Sequence, residues 1–118
     1  HDFAVISLSD RLTPWEKIER RLDYAAQADL SIVIYNPRSH GRPDNLKKAC
    51  DILLKTLPEN RPCGVVRNIG REGQQKFLLT LKELRDFEAD MFCTVFVGNA
   101  QTKIIGENLV TPRGYRDV

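Results

Sequence analysis

Four short runs of mostly branched or aromatic apolar residues recur along the chain, Phe3–Leu8, Leu30–Tyr35, Cys63–Ile69 and Phe92–Gly98. Runs of this length and type suit buried strands. Between them lie segments whose apolar residues return every three or four positions, the period of a helix that covers a sheet with one stripe. Thr13-Pro-Trp-Glu16 combines a capping-box pattern with a proline at the first helical position, and Ile18, Leu22 and Ala25 continue the period to about Ala28. Asp44 is placed to cap a second helix through Leu46, Ala49, Leu53 and Leu57, with Pro58 just beyond it. Thr80-Leu-Lys-Glu83 repeats the capping-box pattern before a short helix reaching about Glu88. Gly70-Arg-Glu-Gly73 supplies a tight turn that returns Gln75–Thr80 as an antiparallel strand, and Ile104 to Thr111 fits an edge hairpin about Gly106. Alternating strands and helices predict an α/β fold: a three-layer sandwich with a mixed, mostly parallel five-stranded sheet covered on both faces, residues 1–118 forming one domain.

Composition narrows the function. A 42% hydrophobic chain of 118 residues can bury one modest core. A net charge of +2 is too small for the usual nucleic-acid binder. Cys50, Cys63 and Cys93 have no CxxC spacing and read as buried free thiols of a reducing compartment; with no long apolar run and no leader pattern, a cytoplasmic protein away from membranes is expected. Two histidines, His1 and His40, build neither a zinc set nor a triad, so no metal is expected. The chain opens at His1 and its one methionine is Met91, from which we expect a segment to precede it.

Ligands of open α/β sheets gather beyond the carboxyl ends of the strands. Here those ends read Ser9-Asp10, Asn36-Pro37-Arg38, Asn68-Ile69-Gly70 and Asn99-Ala100-Gln101. Such residues let a backbone come close to a ligand, although they also punctuate ordinary turns. Arg38, His40, Arg42, Arg67 and Arg71 fall in or beside these loops. Arginines so clustered suit a ligand with several carboxylates, or form a solvated basic rim. No G-x-G-x-x-G, phosphate-binding loop or G-x-S-x-G is present, so no complete nucleotide-dependent enzyme is visible.

The segments from His1 to Asp10, Thr13-Pro-Trp15, Ile34-Tyr-Asn-Pro-Arg-Ser39, Val66 to Gly73, Val95 to Thr102 and Thr111-Pro-Arg-Gly-Tyr115 resemble, in order, the carboxyl-terminal half of the tetrapyrrole methylases of cobalamin biosynthesis. The branch they resemble methylates precorrin-3B at ring carbon 17 with ring contraction. The resemblance implies a two-domain enzyme that encloses S-adenosyl-L-methionine between its domains, with the glycine-rich cofactor loop in an amino-terminal domain absent from these residues, and a homodimer when complete. It points to Asn36 and Pro37, to Asn68, Ile69 and Gly70, and to Phe92, Cys93 and Thr94 as cofactor contacts. Many relatives have methionine and glycine in place of Asn36-Pro37. Arg38 and Arg71 would meet the acetate and propionate arms of the tetrapyrrole, and Ser7, Ser9 and Asp10 are candidates for an acid or base in the contraction. Two alternatives remain: a non-catalytic anion- or nucleotide-binding regulatory module, and a sister precorrin methyltransferase with another target carbon.

Overall fold

A computed structural model describes residues 2–38 and 41–112. Strands β1 (Phe3–Ser7), β2 (Ser31–Tyr35), β3 (Pro62–Arg67), β4 (Gln75–Thr80) and β5 (Cys93–Val97) form one sheet in the order β1-β2-β5-β3-β4. Helices α1 (Trp15–Gln27), α2 (Asn45–Leu53) and α3 (Leu81–Arg85) follow β1, β2 and β4. A short hairpin, β6 (Lys103–Ile105) and β7 (Asn108–Val110), ends the described chain.

The mixed five-stranded α/β sheet is as expected, but its parallel majority is not. Only β1 and β2 pair in parallel; β2–β5, β5–β3 and β3–β4 are antiparallel. Strands β1, β2 and β3 do run the same way, as strand-helix alternation demands. The antiparallel β5 inserts between β2 and β3 and separates what would have been a parallel pair.

Strand alternation then divides the sheet into two faces. Ile32 and Ile34 of β2, Val95 and Val97 of β5 and Val65 of β3 are buried together with Leu22 of α1, Leu53 of α2 and Leu84 of α3 in one core cluster. The helices pack side by side in chain order, α1 on α2 and α2 on α3, all on this face. The expected second helical layer is therefore missing among the described residues. On the other face the hairpin stands in for it: Leu109 lines two apolar cavities of about 510 and 230 Å³ against Phe96, Val33 and Leu78. Gly64 lies under the hairpin, where a Cβ would meet Leu109 Cδ2 at 3.7 Å, an ordinary contact distance. Phe3 and Val5 on β1 stay largely exposed.

Of the two capping boxes, one forms. Thr80 accepts the amide of Glu83, and the Glu83 carboxylate accepts the amide of Thr80, which holds that carboxyl below its usual range. At α1 the helix begins one residue later than the pattern requires, Pro14 is the N-cap and no side chain caps it. Asp44 precedes α2 without a side-chain cap bond, and the helix proper stops at Leu53, short of Leu57. Cys50, Cys63 and Cys93 are free and buried. No helix is long and apolar enough to cross a membrane among the described residues.

Candidate functional site

Because β5 runs against its neighbours, its start lies beside the carboxyl ends of β2 and β3. One edge of the sheet thus gathers Ser7 and Ser9, Asn36 and Pro37, Phe92 to Thr94, and Asn68 to Gly70. The joins are specific. Leu8 donates its amide to the Tyr35 carbonyl at 3.1 Å, Asn36 Nδ2 donates to Ser7 Oγ at 3.2 Å, and the Asn68 amide donates to the Phe92 carbonyl at 3.1 Å. Asn36 and Asn68 both take left-handed backbone angles, φ 51° and 57°, and turn their chains sharply out of the sheet. Asparagine tolerates that conformation better than other side chains.

The site residues are not equally available. Asn36 is exposed, but Pro37 is fully buried. Cys93 is buried with its thiol 3.4 Å from Asp90 Oδ1, so its side chain also faces away from the edge. Phe92 and Ile69 are each half exposed and Thr94 partly so. Arg71 lies over the Phe92 ring at 5.2 Å.

The fourth strand end expected here belongs elsewhere. Asn99-Ala100-Gln101 follows antiparallel β5 and falls at the opposite edge, where Ala100 donates its amide to Asp29 Oδ1 and Gly98 to the Pro62 carbonyl. Buried Thr102 and Asn99 bond to one another and Thr102 to Thr111, which makes that turn a closed clasp rather than a ligand loop.

Two cavities flank the site edge. One, about 550 Å³, is lined by Pro37, Arg38, Lys47 and Arg85 but equally by Asp44, Asp86 and Glu88. Three cations against three acids make it a poor match for a polyanion. The other, about 490 Å³, is lined by Ser7, Ser9, Arg11, Leu12, Thr13 and Arg21 and by no acid. The nearby catalytic candidate Asp10 is paired with the basic-loop residue Arg42 at 2.9 Å. Ser7 Oγ accepts from both Asn36 Nδ2 and the Ser9 amide, leaving its own O–H to donate. Sequence reasoning does not single out Arg11 or Arg21: Arg11 lies in the turn after β1, and Arg21 is carried to the same cavity by helix α1. His40 lies outside the described residues, as do Arg113, Gly114 and Tyr115 of the last resembling segment.

Residues 1–85 match the profile of the Tetrapyrrole (Corrin/Porphyrin) Methylases. The chain belongs to the tetrapyrrole methylase family. A probable cobalt-factor III C(17)-methyltransferase of Salmonella typhimurium is 47% identical over 116 residues, spanning 98% of this chain and 48% of its own. A precorrin-3B C(17)-methyltransferase of a Sinorhizobium species is 40% identical over 120 residues, with 98% and 47% coverage. The crystal structure of the methyltransferase CobJ superposes with a TM-score of 0.85 at 36% identity, over 95% of this chain and 47% of that one. The tetrapyrrole methylase fold is shared more distantly by a uroporphyrin-III C-methyltransferase of Thermus thermophilus, complexed with S-adenosyl homocysteine, with a TM-score of 0.65 at 15% identity over 83% of this chain and 42% of that one. The chain thus spans about half the length of these relatives.

Proposed function

We propose that these residues are the carboxyl-terminal half of an S-adenosylmethionine-dependent methyltransferase that acts on the precorrin-3B type of macrocycle at ring carbon 17, with ring contraction, in cobalamin biosynthesis. The observation that carries this reading is the convergence of the β2, β3 and β5 ends on one sheet edge, in a chain whose relatives are named as C(17)-methyltransferases of cobalt-factor III or precorrin-3B.

The edge fits the cofactor it would hold. Phe92, Ile69 and Tyr35 leave apolar surface exposed where a flat purine could lie, and no heavy atom lies within 4 Å of where a Gly70 Cβ would be. Asn36 offers main-chain groups and Thr94 a hydroxyl, while the buried Pro37 and Cys93 would stand directly behind them. When bound, the cofactor supplies an already activated methyl group, so the protein's task is to hold the acceptor carbon in line and exclude water. A second domain would close the other wall and carry the glycine-rich loop; the complete protein would be a homodimer, as the family resemblance implies.

For the substrate, the acid-free cavity at the end of β1 is the better home for carboxylate arms. Arg11 and Arg21 would pair with them, with Arg71 across the edge and Arg38 at the mixed-charge rim. Ser7, whose acceptor sites are taken, would donate a hydrogen bond to the macrocycle, with Ser9 beside it.

The test is to supply the complete protein with methyl-labelled S-adenosylmethionine and either precorrin-3B or cobalt-factor III. One labelled methyl at ring carbon 17 is expected from one of the two. Arg21→Ala should raise KM for the tetrapyrrole by about tenfold, the scale of one charge-assisted hydrogen bond, and leave KM for the cofactor unchanged. Absence of transfer to both macrocycles would sink the assignment, and an equal rise in both constants would remove Arg21 from the substrate side.

A further inference from the structure

The segments proposed as cofactor wall, residues 68–70 and 92–94, are joined by the β3–β5 ladder and by the Asn68 amide on the Phe92 carbonyl, and one side chain at the end of β3 braces the stretch that leads into them. Residues 87–90, which lead into β5, form no helix or strand; their backbone is tied to the start of β5 by the Cys93 amide on the Asp90 carbonyl at 3.2 Å. Arg67, the last residue of β3, reaches across to them. Its Nη2 donates to the Glu88 carbonyl at 3.2 Å and its Nη1 to Gln75 Oε1 at 3.3 Å. The guanidinium stands over the Phe77 and Phe87 rings, 5.5 and 5.9 Å from their centroids, and those rings pack on each other at 5.1 Å.

The third nitrogen faces Asp90. Arg67 Nε is 3.3 Å from Asp90 Oδ2, yet it is buried and lies outside hydrogen-bond geometry, so charge rather than a directed bond holds that contact. The other oxygen, Asp90 Oδ1, accepts the Phe92 amide at 2.8 Å and lies 3.4 Å from the Cys93 thiol. A relay therefore runs from β3 through Arg67 and Asp90 to the first residues of the β5 wall.

We propose that Arg67 and Asp90 act as a paired positioning device that sets the 92–94 wall against the Asn68 turn for cofactor binding. This rests on the reading of that edge as the cofactor wall. The contact joins the end of β3 to the irregular segment that leads into Phe92. Asp90→Asn separates its two roles: the amide oxygen can still accept from Phe92, while the charge facing Arg67 is gone.

The test measures calorimetric binding of S-adenosylhomocysteine to the complete protein, with Kd and stoichiometry read separately. Asp90→Asn and Arg67→Gln should each weaken binding about three- to tenfold at unchanged stoichiometry, the range of one hydrogen bond or ion pair, and the double variant should be no weaker than the worse single one. In turnover, KM for S-adenosylmethionine should rise while kcat holds, since such positioning affects ground and transition states alike. Loss of stability alone would instead lower stoichiometry and kcat at constant Kd, and that pattern would overturn the proposal. Thr94→Trp probes the wall directly and should abolish binding. If it blocks binding while both Arg67 and Asp90 variants stay within twofold of the parent, the brace fails and the wall stands; if Thr94→Trp has no effect, the wall itself is wrong and the proposal falls with it.

Discussion

Asn36 and Asn68 turn out of their strands with nearly the same backbone angle, and the sequence announces only one of them. Asn36 is followed by a proline that cannot continue a ladder, so the end of β2 is visible residue by residue. Asn68 needs Gly70 and Gly73 to suggest its turn. Which way each neighbouring side chain points is another matter: Pro37 and Cys93 share the site edge by position, yet their side chains belong to the core. Arg67 reads in the sequence as one of several loop arginines, and only its two aromatic neighbours, distant in the chain, show that it is an internal strut. A similar hidden constraint sits at Gly98. A Cβ there would overlap the Thr102 side chain, and Thr102 is fixed by bonds to Asn99 and Thr111, so it cannot give way. Gly98→Ala should cost about 1–3 kcal/mol, the usual penalty for overpacking a tight site. Urea unfolding would read it as a lower midpoint at constant slope; an unchanged midpoint would mean that the clasp yields.

At the scale of elements, helices and strands were legible because their periods are written in apolar spacing. The sheet's directions were not. Alternation of strand and helix requires β1, β2 and β3 to run alike, and they do. Nothing in local spacing says that a later strand will insert between two earlier ones, which is why the parallel majority failed and the Asn99 turn was assigned to the wrong edge. The capping boxes show a finer version of the same limit. Both have the right residues, but at α1 the first turn starts at Trp15 and Glu16 no longer sits three positions after the cap. Thr80 does meet the requirement and ties α3 to the end of β4. Thr80→Ala should therefore destabilise the fold by about 1 kcal/mol, a typical N-cap loss, while Thr80→Ser retains most of it. Thermal melts of the three proteins would show it; equal loss in both variants would assign the effect to the Thr80 methyl.

For the molecule as a whole, burial of thiols writes a pH limit into stability. Burial pushes the Cys63 thiol up to about 12 and raises Cys50 in the same direction. Folded chains then hold protons that unfolded chains release once pH passes the ordinary thiol value of 9.0. The stabilisation is complete below that value and is lost as pH climbs towards 12, by at most about 1.4 kcal/mol per pH unit for each thiol. Cys63→Ala should flatten the fall of Tm above about pH 9 relative to the parent, whatever it does to Tm at neutral pH. Parallel curves would mean that Cys63 does not control the alkaline limb.

The insertion of β5 also dictates an order of events during synthesis. As the chain emerges, β1 with β2 and β3 with β4 can each pair, but each half leaves one long edge of unpaired backbone groups. Both edges wait for residues 93–97, the strand that bonds to β2 on one side and β3 on the other. Without it, the sheet would fall into two halves whose free inner edges could invite foreign strands. The segment that closes them is the same one whose first residues shape the proposed cofactor wall, so the site and the closed sheet come into being in a single late step.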